Sequence, residues 1–206
     1  SGQAPICFPI CGGLRDGHAT TMGGREVKLA RHGFARKQEW KLEEQSDNMV
    51  ALSLSSTDHA ELLDQYPYPF KIVARYTIDS EKVAVSYEVT NEGTEDMPFF
   101  VGGHPGFKCP LDEGESYDDY ELRFEQREAT ELCTAVPSTG LIDVEHRSKN
   151  PMIGQNLPLT HELFDFAETI FDVLESRVVT LTKKTEDKGV RLTFPDMPYL
   201  IVWSKP

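Results

Sequence analysis

The chain has 206 residues, 39% of them hydrophobic and 27% charged, which supplies apolar material for a sizeable core and lacks the long charged tracts of a disordered protein. Thirty-four acidic residues against 21 basic ones leave a formal charge of −13, which argues against a general binder of nucleic acid or anionic membrane, whose affinity rests on neutralising phosphate. No apolar run approaches the roughly 20 residues that span a bilayer.

The opening residues, Ser1 to Pro5, carry neither an initiator Met nor the basic-then-apolar pattern of a secretory signal. The natural N-terminus is therefore expected elsewhere. Cys7 and Cys11 are four apart with Phe8-Pro9 between them, and no second pair follows. Reduced, mostly buried thiols in a cytoplasmic protein are the expectation, with no metal site.

Between Arg15 and Lys41, seven basic residues oppose Asp16, Glu26 and Glu39, a net charge of +4 in an acidic chain. This segment reads as a compensating exposed face or as a local attraction for an anionic ligand, since Arg forks match phosphate and carboxylate.

Val50, Leu52 and Leu54 mark a strand. Asp58 to Gln65 reads as a short helix with Asp58 as N-cap, ending before Tyr66-Pro67. Phe70 to Asp79 alternates apolar and mostly polar residues, and Val83, Val85, Tyr87 and Val89 repeat the pattern after a turn at Asp79 to Lys82. The two runs form an antiparallel hairpin with one face buried. Asp112 to Glu115 and Tyr117 to Tyr120 make an acidic patch, read as a solvated loop without EF-hand spacing. Further strands are expected over Tyr120 to Phe124, Arg177 to Thr182, Gly189 to Phe194 and Tyr199 to Trp203. A second short helix is expected over His161 to Phe166 after Thr160. Many short strands with turns between them predict one all-β domain over residues 1–206, a sandwich or barrel.

Two stretches carry chemistry: Arg31-His32-Gly33-Phe34-Ala35-Arg36, and Phe99-Phe100-Val101-Gly102-Gly103-His104-Pro105-Gly106-Phe107. Glycines beside an imidazole let a ligand or backbone approach it closely, and a histidine among aromatics and small residues reads as a pocket residue.

These stretches, in order with Ala4-Pro5-Ile6-Cys7-Phe8-Pro9-Ile10 near the start and Pro198-Tyr199-Leu200-Ile201-Val202-Trp203 near the end, resemble the aldose 1-epimerase (galactose mutarotase-like) family. The resemblance implies a β-supersandwich of two large antiparallel sheets with few short helices, and a sugar cleft on one of them. It implies that His104 is the general acid on the sugar's ring oxygen and that His32 hydrogen-bonds the sugar near that oxygen. It makes Arg36 a substrate contact that holds phosphate in a hexose-6-phosphate branch, and Glu168 a contact to sugar hydroxyls. Phe107, with Phe34 and Trp203, is an aromatic able to pack on the sugar's C–H faces.

Three departures bear on the reading. Cys11-Gly12-Gly13-Leu14 stands where the family often has an arginine, and Gln3 stands where the sugar-phosphate branch has another. The family's catalytic base is a glutamate beyond the Trp203 strand, so the base is expected outside residues 1–206, and the chain is expected to be the central part of a longer one.

The implied reaction interconverts the α and β anomers of a free hexose. A base takes the anomeric proton, an acid protonates the ring oxygen, the ring opens and closes on the other face, and no cofactor or metal is needed. Histidine suits the acid role because its unperturbed pKa, about 6.5, lies near working pH. The expected partner is a small sugar. The competing readings are a hexose-6-phosphate mutarotase and a non-catalytic carbohydrate-binding β-sandwich.

Overall fold

A computed structural model of the chain describes residues 4–165 and 168–204. The contacts divide it into two compact units, residues 1–106 and 107–206.

The first unit holds β1 (Ile6–Cys7), β2 (His18–Thr20), β3 (Glu26–Lys28), β4 (Lys41–Ser46), β5 (Met49–Ser55), β6 (Phe70–Asp79), β7 (Lys82–Asn91) and β8 (Gly102–Gly103). Strands β4-β5-β6-β7 form an antiparallel meander, while β1 pairs β8 and β2 pairs β3. In β6 the alternation does what it predicts: Phe70, Ile72 and Ala74 are fully buried on one face. The outer half of β7 departs from it. Val83 and Val85 are 67% and 43% exposed: they pair with Ile78 and Tyr76 toward the far end of β6, where burial falls off on the same face.

Phe8 is the centre of the core. It is fully buried, and its ring meets Phe34, Tyr66, Phe70 and Phe99 at centroid separations of 5.1–6.4 Å. Burying one such ring contributes about 2–3 kcal/mol. The Tyr66 hydroxyl, otherwise stranded among apolar rings, donates to the Pro98 carbonyl at 2.8 Å.

The second unit holds β9 (Tyr120–Phe124), β10 (Glu131–Val136), β11 (Leu141–Lys149), β12 (Asn156–Pro158), β13 (Thr169–Phe171), β14 (Val178–Lys183), β15 (Gly189–Thr193) and β16 (Leu200–Val202). They make two four-stranded antiparallel sheets, ordered β11-β10-β13-β16 and β12-β9-β14-β15. Phe124 and Phe171 meet at 5.0 Å in a core with Leu157 and Val179.

The chain is thus all-β, as predicted, and its described helices are single 3₁₀ turns. The segment predicted as a helix over Asp58 to Gln65 is a 3₁₀ turn over Ala60–Asp64 with His59 at its N-cap. Asp58 instead accepts from Ser55 and pairs with Lys41. The predicted second helix is a 3₁₀ turn over His161–Phe164 after Thr160, and its last residue, Phe166, lies outside the described residues. The acidic patch is tied to lysines of the same unit: Asp112 pairs with Lys188 at 3.0 Å and Glu115 with Lys183 at 2.7 Å. Among the described residues no helix is long and apolar enough to cross a membrane.

Glu128 shows how the second unit closes a turn. Its carboxylate is 4% exposed and accepts the backbone N–H groups of Glu175 and Ser176 at 2.8 and 2.9 Å. Glu128→Ala leaves the N–H of fully buried Ser176 without a partner, an expected loss of about 2–4 kcal/mol. Glu128→Gln keeps one acceptor oxygen and is expected to lose about half as much. Urea unfolding of the two variants measures the difference.

Candidate active site

The segment Pro5–Gly12 holds both histidine loops. Along one side β1 pairs with β8, Ile6 opposite Gly103 and Cys7 opposite Gly102, and the His104 N–H continues the ladder to the Pro5 carbonyl at 3.2 Å. On the other side the Phe8 N–H donates to the His32 carbonyl, and the Phe8 carbonyl accepts from Phe34 and Ala35. Two loops 72 positions apart in sequence are thereby brought together, with the His32 and His104 rings 5.5 Å apart and nearly perpendicular, at 86°.

His32 is held unusually tightly. It adopts φ +65°, a left-handed conformation uncommon for a residue with a side chain, and Gly33 follows at φ +70°. A Cβ on Gly33 would sit 2.1 Å from the Phe8 carbonyl oxygen, so only glycine allows this approach. Gly12, at φ +85°, clamps His32 from both ends. Its carbonyl accepts the His32 N–H at 2.7 Å, and its N–H donates to His32 Nδ1 at 3.1 Å. Arg31 Nε reaches Nε2 at 3.4 Å.

The other predicted residues are placed as follows. His104 is exposed and His32 half-buried. Arg36 is exposed in the 3₁₀ turn Ala35–Lys37, directly after the His32 loop. Phe107 is exposed at the start of the second unit, and Glu168 is half-buried just before β13 in that unit. Of the aromatics, Phe34 is buried core and Trp203 is exposed in the second unit. Gln3 lies outside the described residues.

Several neighbours of the histidines escaped the sequence reading. Tyr87 of β7 sits under the His104 loop: a Cβ on Gly103 would be 2.9 Å from its hydroxyl. Burial pushes that phenol up to about 12. The Cys7 and Cys11 side chains are neighbours over Gly102. Cys11 as donor holds the Cys7 thiol down, at about 5, against the opposing effect of burial and with help from His32 and His104. Cys11 is raised, because it keeps the proton it shares with Cys7. The expectation of mostly buried cysteines fits Cys7 and Cys133, whereas Cys11 is exposed and Cys109 half-buried. Among the described residues no group of three His, Cys, Asp or Glu side chains is placed to hold a metal ion.

Residues 3–205 match the profile of the aldose 1-epimerase family. The plasmid and chromosomal LacX proteins of Lactococcus lactis are each 41% identical to the chain over 209 residues, covering 99% of it and 69% of the LacX proteins. A galactose mutarotase-like protein from Lactobacillus casei is 30% identical, with a TM-score of 0.81 over 98% of this chain and 67% of that one. A galactose mutarotase related enzyme from Lactobacillus acidophilus is 28% identical, with a TM-score of 0.85 over 98% and 65%. The chain thus spans about two thirds of the length of these relatives. With the profile matched across almost every residue and the fold shared with galactose mutarotase-like structures, this chain belongs to the aldose 1-epimerase family.

Proposed function

We propose that the protein is an aldose 1-epimerase that interconverts the anomers of a free hexose, with His32 and His104 at the ring oxygen. The observation that carries this reading is the pairing of the two imidazoles at 5.5 Å, on a frame that fixes one and leaves the other exposed. In the proposed mechanism His104 protonates the ring oxygen as the C1–O5 bond breaks. A base removes the anomeric proton, the aldehyde end rotates, and the same groups run in reverse on closure. His32 hydrogen-bonds the sugar near the ring oxygen while Gly12 holds Nδ1, so the ring meets the substrate in one orientation.

The base is a glutamate by family resemblance, and no residue among 1–206 is assigned that role. Glu168 and Phe107 enter as sugar contacts on the resemblance alone. The reaction moves two protons, and the proposal includes no cofactor.

The preference for a free sugar over a sugar phosphate is supported by the ion pairs of the basic segment. Arg25 is bidentate to Glu95 at 3.0 and 2.5 Å, and Lys41 is paired with Asp58, which removes two of its seven cations from the pool that would attract phosphate. Arg36 remains an exposed guanidinium beside the His32 loop. One fixed arginine outweighs distant screened charges, but a phosphate site ordinarily draws on more than one. Competition binding tests this directly. Glucose is expected to bind at least as well as glucose 6-phosphate, and a phosphate advantage of more than about tenfold, roughly 1.4 kcal/mol, would overturn the choice.

A further inference from the structure

Cys7 and Cys11 differ from the other two thiols in their surroundings. Cys7 is buried, Cys11 is exposed, and their side chains are neighbours over Gly102. Strand β8 seats the pair. A Cβ on Gly102 would lie 2.9 Å from Cys11 Sγ and 3.9 Å from Cys7 Cβ, so the bare glycine makes the space in which the two sulfurs meet. Among the described residues Cys109 and Cys133 have no second thiol beside them, and burial raises both. The segment Pro5–Gly12 that carries the pair also carries every backbone bond that positions His32 and His104.

We propose that Cys7 and Cys11 are an oxidisable dithiol, a modification site that takes low-molecular-weight disulfides as its reagent and governs the placement of His32.

The chemistry balances as thiol–disulfide exchange. Exposed Cys11 is the sulfur that a small disulfide such as oxidised glutathione can reach; it passes its proton to the Cys7 thiolate as it attacks, and one glutathione thiolate is expelled. Cys7 then attacks the Cys11 sulfur of that mixed disulfide, loses its own proton and expels the second thiolate. The protein gives up two electrons and the one proton that the pair shares, and the two glutathione sulfurs leave at the thiol level, taking up protons from solvent. Cys7 suits the second role because the His32 and His104 rings favour its thiolate. Its position against Cys11 means that the resolving sulfur is already in place.

Oxidation reaches the histidine by geometry. Two neighbouring sulfurs must close to a bond of about 2.05 Å, which draws Cys11 inward. Gly12 follows Cys11 directly in the chain, and both its N–H and its carbonyl are bonded to His32. A shift of Cys11 therefore breaks or re-aims the bond that holds Nδ1, and His32 loses its fixed orientation. In reduced protein the pair leaves the clamp intact.

The test needs no sugar and no turnover, so it stands apart from the catalytic proposal. The protein is equilibrated with excess oxidised glutathione, its remaining thiols are alkylated, and it is digested with trypsin. No Lys or Arg separates Cys7 from Cys11 and Arg15 follows them, so the two share one tryptic peptide apart from Cys109 and Cys133. The expected result is that this peptide loses nearly all alkylation and is two hydrogen atoms lighter, and that dithiothreitol restores the alkylation. Cys109 and Cys133 are expected to remain alkylated. In the oxidised protein the ring NMR signals of His32 and His104 are expected to shift while those of His146 stay, and Cys11→Ser should abolish the shift. A doubly alkylated peptide, or a stable glutathione adduct on Cys11 that Cys7 never resolves, overturns the proposal. A disulfide that forms with the His32 signals unmoved overturns its control of the histidine.

Discussion

His104→Ala is expected to lower mutarotation by roughly 10²–10⁴-fold, the usual contribution of one positioned acid or base, which is about 3–5 kcal/mol of transition-state stabilisation. The fold should survive. The His104 side chain is exposed, and the residue joins the structure through its backbone N–H to the Pro5 carbonyl, a bond that alanine keeps. Sugar binding should weaken far less than the rate, because the proton passes fully to the ring oxygen only as the C1–O5 bond breaks. His32→Ala should reduce binding and rate together, since its proposed hydrogen bond to the sugar serves the ground state as well. The assay is the decay in optical rotation of a freshly dissolved α-anomer, corrected for spontaneous mutarotation, in the longest natural chain that carries residues 1–206. A near-normal kcat in His104→Ala would show that another group is the acid.

Gly33→Ala should be the most damaging methyl group that can be added to the first unit. The new Cβ would lie 2.1 Å from the carbonyl oxygen of Phe8, 2.5 Å from its carbon and 2.8 Å from Pro9 N, all backbone atoms that cannot rotate away. The position also needs φ +70°, which costs an L-residue about 1–2 kcal/mol before any clash. Relief requires Phe8 to move. Its carbonyl then loses the Phe34 and Ala35 N–H groups, about 1 kcal/mol each, and its ring leaves the centre of the aromatic core. A loss of about 3–5 kcal/mol is expected in urea unfolding. Gly106→Ala is the matched control: it has open space around its Cβ position and no positive φ, and should change stability by less than about 0.5 kcal/mol. A Gly33→Ala loss as small as the control's would mean that the Phe8–Gly33 approach does not organise the site.

What could be read in the chain, and what could not, follows from how local each signal is. The strand at Phe70 to Asp79 announces itself because burial on one face imposes a period of two. The edge strand Lys41–Ser46 does not: every one of its residues is exposed, so it pairs with β5 through the backbone and leaves no apolar imprint. Leu141–Lys149 is hidden in the same way by its charges. The valines of β7 mark a strand but not its burial, because what covers a face is decided by distant segments. The short turns after His59 and Thr160 have no side-chain cap hydrogen bond, and each runs for too few residues to complete an α-helix.

The histidines were legible for a local reason, the glycines beside them. Their partners were not. The bond from Gly12 to His32 Nδ1 joins residues 20 apart, and the Tyr87 hydroxyl beneath Gly103 depends on the register of β7. The Cys7–Cys11 contact was visible as a spacing, but the spacing alone favours inert thiols. Only the pairing of β1 with β8 over Gly102 puts the two sulfurs together.

The central claim is that His32 and His104 form one sugar site, and a sugar titration followed on the ring signals of the six histidines tests it most directly. With glucose or galactose added, the signals of His32 and His104 are expected to move along a single saturating curve. Those of His59 and His146, which rest against Glu61 and Asp143, are expected to stay in place. Signals of His32 and His104 that remain fixed up to the solubility limit of both sugars, or that follow two different saturation curves, would contradict the account.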